Sequence, residues 1–247
     1  MEESIVPIKS YYTKPKTLFH MFYDMIYPSN DNYVKSSCTG FYVRPNYIVT
    51  CRHCVVDDDN NIADKIEIGN YSGKLIGLSK EYDIAVLKID KNNDVKPGHP
   101  IYLERKGLYQ GMAVSNFCFH CFDNSKKKTQ AKTTGIISAI TNNNEKISSD
   151  KFVHTCLTLP GCSGSPILHN NKYIGMTTSS WRVHNQYTFG FGINGILLDK
   201  TVNNLIEKEL ENQKEIEYET NKRNKMINDN HIIDSNNVRE ILYTMML

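Results

Sequence analysis

The sequence has no uninterrupted apolar run of the roughly 18 to 20 residues that a membrane-spanning helix requires. Its first thirty residues carry Lys9, Lys14, Lys16 and Asp24 within a broken apolar pattern, so we expect neither a membrane partner nor a secretory leader. These absences predict a cytoplasmic protein or, for a viral source, one of the host cytoplasm or the virion.

An excess of charge of one sign is also missing, because 29 basic and 27 acidic residues leave a formal net charge of +2. That balance provides no large single-sign field, and we therefore do not expect nucleic acid as the main partner. The seven cysteines are an odd number in a chain without a leader pattern, which favours reduced thiols over a disulfide framework.

Short β-branched and aromatic runs fill the stretch from about Val34 to Ile196. Polar turn clusters, such as residues 57–61 and 170–171, separate these runs. Many short strands at this spacing predict an all-β body built as a sandwich or as barrels. After Ile196 the apolar residues recur at a helical period, which predicts a closing helix over 197–210 and a polar helical tail over 211–247.

The segment around Ser163 carries the strongest chemical signal, since Gly161 and Gly164 flank Cys162 and Ser163 before a short apolar run. An attacking serine needs a tight turn that presents its oxygen outward while backbone amides converge on the developing oxyanion. A Gly/Ser loop between strands would carry the same letters, so this segment alone does not decide.

Two further segments supply groups that could activate a serine. His53 follows the apolar run of residues 47–51, which places an imidazole at the end of a strand. Asp83 leads directly into the apolar run 84–89, where a carboxylate screened from water can accept the Nδ1 proton of a histidine. A histidine or an aspartate at a strand end is common, but the order His, Asp, Ser in one all-β body favours a nucleophilic serine.

Together these segments resemble the histidine, aspartate and serine motifs of the chymotrypsin-like serine peptidases, most closely the HtrA/DegP-like branch. The resemblance covers about residues 34–210 and includes the segments 39–56, 83–89, 134–138 and 161–166. It implies two six-stranded antiparallel β-barrels, over about 34–105 and 106–196, with a C-terminal α-helix and a separate N-terminal segment over 1–33.

The resemblance also implies a serine endopeptidase that cleaves polypeptides through an acyl-enzyme and needs no cofactor or metal. Ser163 would attack, His53 would act as base and Asp83 would orient the histidine, while the amides of Gly161 and Ser163 would form the oxyanion hole. One wall of the specificity pocket would contain Leu157, Thr158 and Leu159, and the other Phe189, Gly190 and Phe191. Without a carboxylate on the first wall, we expect a medium apolar residue before the cleaved bond.

The sequence departs from the family at Cys162, where digestive members carry an aspartate that captures a new N-terminal amine. A cysteine nucleophile is disfavoured, since Pro160 would then stand where the oxyanion glycine belongs and it has no N–H. We also expect no PDZ domain after the closing helix, whereas homotrimers of the HtrA branch leave a homo-oligomer open.

Two other function classes are weighed against the enzyme. A catalytically silent protease-like binding or structural module would predict a missing member of the set His53, Asp83 and Ser163. An esterase of the α/β-hydrolase type would require the serine first in the chain order, which the sequence excludes.

The cysteines leave two questions open. Cys38 and Cys54 have the separation of a disulfide that many secreted relatives place beside the histidine, although two thiols are favoured here. A second cluster comprises Cys118, His120, Cys121, His154 and Cys156. These residues could hold a structural zinc ion, although simple alternation along two strands explains them equally well.

Overall fold

The structure of the protein is a computed structural model that describes residues 2–13, 33–90, 98–120, 129–141, 150–183 and 187–244. The chain divides into two compact units, Met1–Leu205 and Ile206–Leu247. The first unit holds all twelve strands of the described residues, and the described part of the second unit, up to Thr244, is helical.

The first barrel closes in the strand order β1-β2-β3-β6-β5-β4, with antiparallel pairing throughout. Its strands are β1 (Ile5–Thr13), β2 (Tyr33–Arg44), β3 (Tyr47–Cys51), β4 (Lys65–Ile68), β5 (Tyr71–Ser79) and β6 (Ile84–Ile89).

Strand β1 belongs to the barrel, whereas the sequence analysis put residues 1–33 into a separate segment. It pairs with β2 and with β4, so the barrel begins at Ile5 rather than near residue 34. Ile8, Ser10 and Tyr12 alternate into the interior. A serine in this alternation weakens the period-2 signal of the sequence, and the pairing that fixes the strand is long-range.

The second barrel closes in the order β10-β11-β12-β9-β8-β7 and is also antiparallel. Its strands are β7 (Ala113–His120), β8 (Thr129–Thr141), β9 (Lys151–His154), β10 (Pro166–His169), β11 (Lys172–Val183) and β12 (Tyr187–Asn194). Its core is a cluster of buried apolar side chains, namely Met112, Val114, Ile137, Phe152, Cys156, Ile167 and Ile174.

A single helix, α1 (Gly195–Thr244), follows the second barrel. In the first unit its residues Leu198 and Val202 are buried, as the helical period of the sequence predicts. The helix runs on without a break through the ranges that the sequence assigned to a closing helix and a polar tail. Among the described residues, no helix combines the length and the apolar character needed to cross a membrane.

The predicted fold class is confirmed, because the protein has two closed six-stranded antiparallel barrels and a C-terminal helix. Alternating inward positions on each strand supply the two cores, and polar turns join neighbouring strands. At the turn between β10 and β11, Asn170 and Asn171 adopt left-handed φ values of 50° and 64°, which asparagine tolerates better than most residues.

Candidate active site

His53 and Asp83 meet because β3 ends and its neighbour β6 begins at the same edge of the first barrel. Cys51, the last residue of β3, lies opposite Ile84, the first residue of β6. The chain leaves β3 in a short 3-10 turn, Arg52–Cys54, that carries His53. The amide of Arg52 donates to the carbonyl oxygen of Asp83 at 3.0 Å, which ties the two segments together.

The Asp83 carboxylate contacts the histidine through both of its oxygens. Oδ2 lies 2.7 Å from Nδ1 of His53, and Oδ1 accepts the backbone amide of the same residue at 3.0 Å. This hydrogen bond raises the pKa of His53 above 6.5, against an opposing effect of burial. The ring is therefore oriented by Asp83, and Nε2 is the nitrogen left for other contacts.

Asp83 itself adopts a left-handed backbone conformation, with φ of 54°. Aspartate is one of the few residues that enter this region, since its short polar side chain can hydrogen-bond locally. Conformations of this kind cost about 1–3 kcal/mol and persist where the surroundings fix them, often at functional sites. In this protein the conformation of Asp83 is fixed by hydrogen bonds that the amides of Arg52 and His53 donate to it.

Ser163 lies in a tight turn between residue 159 and strand β10. Gly161 and Gly164 have φ values of 100° and 81°, which side-chain-bearing residues rarely adopt. The amide of Cys162 donates to the Leu159 carbonyl and the amide of Ser165 donates to the Cys162 carbonyl, each at 3.0 Å. The glycines of the motif are thus required by the backbone path around the serine.

Thr39, on β2 of the first barrel, stabilises this turn through hydrogen bonds. Its amide donates to the carbonyl oxygen of Ser163 at 3.0 Å, and its hydroxyl donates to the carbonyl oxygen of Gly161 at 2.7 Å. The same hydroxyl accepts the amide of Phe119 at 2.9 Å. Sequence reasoning missed this role, because a threonine inside an apolar strand carries no mark of a contact with a turn 122 positions away.

One open cavity of about 370 Å³ brings the three predicted residues together, since His53, Asp83 and Ser163 all line it. His53 and Asp83 keep 47% and 34% of their side-chain surface exposed, so both are accessible from solvent. The remaining lining residues come from both barrels and comprise Glu81, Tyr82, Lys151, Thr178, Ser179 and Ile193.

The amides of Gly161 and Ser163 were predicted to form an oxyanion hole. In the part of the chain that the structure describes, neither amide donates a hydrogen bond to another protein group. Unpaired backbone donors in a turn are uncommon and are available for an external acceptor. Such donors suit the stabilisation of an oxyanion beside the serine.

The predicted pocket walls differ in exposure. Leu157 keeps 46% of its surface exposed, whereas Thr158 and Gly190 are buried. Leu159, Phe189 and Phe191 are half-buried. The two walls approach each other at Gly190, where an added Cβ would come within 2.7 Å of the Thr158 hydroxyl.

His154 occupies the space between these walls, a position that sequence reasoning did not assign to it. A Cβ on Gly190 would collide with its imidazole, and the ring is fully buried. Burial lowers the pKa of His154 to about 4, so the ring is neutral at neutral pH. Its Nε2 lies 3.4 Å from the Thr177 hydroxyl. The pocket region therefore contains a neutral polar group and no charge from this histidine.

The zinc alternative finds little support in the described ranges. Cys121 lies outside them, and Cys118, His154 and Cys156 do not form a group of three close ligand atoms. A different set, Cys51, His53 and Cys54, does bring three ligand atoms within 4.8 Å of one another, but His53 is also the partner of Asp83 there. The six described cysteines, Cys38 and Cys54 among them, are thiols.

Comparison with protein families identifies the domain. The family model of the trypsin-like peptidase domain matches residues 38–176, which is more than half of the chain and contains His53, Asp83 and Ser163.

Curated relatives point to the same family. The chain is 32% identical over 174 residues to a DegP-like periplasmic serine endoprotease of Chlamydia pneumoniae and 28% identical over 173 residues to one of Chlamydia muridarum. Each match covers 68% of this chain and 34% or 33% of the relative, so the chain spans about a third of their length.

A solved structure shows the same fold. It is an HtrA-type protease, AlgW, with a decapeptide, and it matches with a TM-score of 0.59 at 20% identity. The match covers 83% of this chain and 65% of that protein.

These relatives correct one expectation from the sequence. They are periplasmic proteins by name, which contradicts the cytoplasmic location that we predicted. That prediction was wrong because it used only the lack of a leader-like pattern, and this pattern carries no information about the folded domain. The family match and the shared fold agree on the remaining point: the chain belongs to the trypsin-like peptidase family, in its HtrA- and DegP-like branch.

Proposed function

We propose that the protein is a serine endopeptidase and that Ser163 is its nucleophile. In this mechanism the Ser163 hydroxyl attacks the peptide carbonyl while Nε2 of His53 takes its proton. The protonated imidazole then gives the proton to the leaving amine, and water hydrolyses the acyl-enzyme by the same route in reverse. Asp83 holds the Nδ1–H tautomer and stabilises the imidazolium.

The observation that carries the proposal is the double contact of Asp83 with His53 in the cavity that Ser163 also lines. A carboxylate that binds both the ring and the backbone amide of one histidine leaves that ring little rotational freedom. Orientation of a general base in this way is worth several orders of magnitude in rate in enzymes of this mechanism.

The oxyanion would be stabilised by the amides of Gly161 and Ser163. Support comes from the positive φ of Gly161 and from the lack of a protein acceptor for either amide in the described residues. The hydrogen bond from the Thr39 hydroxyl to the Gly161 carbonyl oxygen also holds the turn in place. Donors that are held in place before the reaction avoid a reorganisation cost in the transition state.

Polypeptides are the proposed substrates, in line with the decapeptide in the AlgW structure. The residue before the cleaved bond would be uncharged and of medium size, most favourably apolar. Leu157 and Phe191 contribute apolar surface to the proposed walls. Residues 157–159 have no carboxylate to pair with lysine or arginine, and the neutral His154 has no positive charge to pair with glutamate. Peptide libraries that vary this one residue would report the preference directly.

Digestion of unfolded casein by the full chain tests the activity. We expect cleavage by the wild type and loss of at least about 10³-fold in rate for Ser163→Ala and for His53→Ala. Ser179→Ala, at a serine that lines the same cavity, is the matched control and should retain activity. Equal cleavage by wild type and Ser163→Ala would refute the proposal.

The oligomeric state is a separate question, and light scattering of the same preparation would show whether the protein forms a homo-oligomer.

A further inference from the structure

Cys162, the residue directly before Ser163, is in contact with a cysteine of another strand. Its sulfur lies 2.6 Å from the sulfur of Cys118 on β7, and both side chains are fully buried. The two residues are 44 positions apart in the chain. A direct sulfur–sulfur contact, shorter than a hydrogen bond between two thiols, thus links the turn that presents the serine to the wall of the second barrel.

The side chain of Cys162 makes a second contact, within the turn itself. Here Cys162 also accepts the amide of Leu159 through its sulfur at 3.4 Å, so the side chain holds the turn on two sides. The Cys118 sulfur is the partner that comes from outside the turn.

The neighbouring contacts connect the same two elements a second time. Phe119, next to Cys118, donates its amide to the Thr39 hydroxyl, and that hydroxyl donates to the carbonyl oxygen of Gly161. Residues 118–119 of β7 therefore touch the turn at Cys162 directly and at Gly161 through Thr39. A covalent bond between the two cysteines would fix one end of this network.

We propose that Cys118 and Cys162 are a disulfide site that anchors the turn of the nucleophile. The two thiols lose two protons and two electrons to a small disulfide such as glutathione disulfide, which leaves as two thiols. The sulfurs are close enough that bond formation, at about 2.05 Å, requires only a small approach.

The linked form is the more reactive one. The amides of Gly161 and Ser163 must be held where the oxyanion develops, and small displacements of such donors slow the reaction. The cross-link restricts the turn that carries both amides, whereas the reduced form keeps only hydrogen bonds there. This rate effect rests on the proposed function; the existence of the disulfide does not.

Peptide mapping tests the bond itself. The full chain is equilibrated with glutathione disulfide, its remaining thiols are alkylated under denaturing conditions, and it is digested with chymotrypsin without reduction. Cleavage after Phe119 separates Cys118 from Cys121, and cleavage after Leu157 separates Cys156 from Cys162. We expect a cross-linked pair of fragments that contains Cys118 and Cys162, and an increase in melting temperature of roughly 10 °C over the reduced protein.

Reaction with a fluorophosphonate tests the anchor. We expect reduction of the wild type to slow labelling about three- to tenfold and re-oxidation to restore it. Cys118→Ser should label at the reduced rate with or without oxidant, whereas the matched control Cys121→Ser should keep the full response. Cys38→Ser removes one member of the Cys38/Cys54 pair and should also keep it.

The outcomes separate the two claims. Alkylated Cys118 and Cys162 in the folded, oxidised protein would overturn the disulfide site. A cross-link without any change in labelling rate would overturn its role as an anchor. If no form of the protein is labelled at all, the proposed function fails, and the mapping result still decides whether the bond exists.

Discussion

The carboxylate of Asp83 holds His53 at two points, through Nδ1 of the ring at 2.7 Å and through the backbone amide at 3.0 Å. The contact exists because β3 and β6 are neighbours, and β3 ends at the barrel edge where β6 begins. It joins residues 30 positions apart and occupies Nδ1, so Nε2 is the ring nitrogen without a contact to Asp83.

Replacement of Asp83 by asparagine should reduce kcat/KM by about 10³- to 10⁴-fold, because an amide neither enforces the Nδ1–H tautomer nor stabilises the imidazolium. Glu81→Gln is the matched control, since Glu81 lines the same cavity. Steady-state cleavage of a peptide substrate measures both variants. An Asp83→Asn enzyme with more than about a tenth of wild-type kcat/KM would argue against an orienting role.

The pH dependence of kcat/KM should follow the pKa of His53, which the bond to Asp83 raises above 6.5. A general base must be neutral, so activity should rise with pH through this raised pKa and be lost below it. In Asp83→Asn the midpoint of the acid limb should move to lower pH, because the group that stabilises the imidazolium is gone. An identical midpoint in both proteins would assign the limb to another group.

Replacement of Gly164 by alanine should destabilise the protein by about 3 kcal/mol or more and abolish activity. Its φ is 81°, and a Cβ there would collide with the Thr39 carbonyl oxygen and the Thr50 hydroxyl. Gly69→Ala is the control, since Gly69 has φ of 60° with open space around it, and its cost should be only about 1 kcal/mol. Denaturant unfolding compares the two, and equal losses would refute the steric argument.

The buried His154 should make the protein less stable in acid. Its pKa is lowered to about 4 in the folded state, against 6.5 when exposed, so the unfolded chain binds a proton that the folded protein does not. Stability should therefore fall as pH drops from 6.5 toward 4, by up to about 3 kcal/mol from this residue. The His154→Gln variant should show a shallower fall, whereas His99→Gln, at a largely exposed side chain, should not.

Apolar alternation and polar turns marked most strands locally and predicted an all-β body, whereas the two six-stranded barrels were predicted from the family resemblance. Strand β1 was not predicted, since its inward positions include Ser10 and its place in the barrel depends on pairing with β2 and β4. The helix after Ile196 was predicted from its period, and its full extent to Thr244 exceeds what the apolar pattern alone would support.

For the site, chain order and motif letters were enough to select His53, Asp83 and Ser163, which the structure brings to one cavity. The contacts that support these residues were not predictable in this way. Thr39 contacts the turn across a long sequence separation, and no local pattern marks it. Cys118 and His154 stood out only as candidate zinc ligands, and their contacts with Cys162 and near Gly190 depend on the fold. The prediction of a cytoplasmic location was wrong for a different reason, because it was based on the absence of a leader pattern.

Labelling of the purified full chain with a fluorophosphonate, read by intact mass and by the modified peptide, is the most direct test of the central claim. We predict a single adduct that maps to Ser163, with no adduct on Ser163→Ala and strongly slowed labelling of His53→Ala. A wild-type protein that stays unlabelled after equilibration with glutathione disulfide, or an adduct that persists on Ser163→Ala, would contradict it.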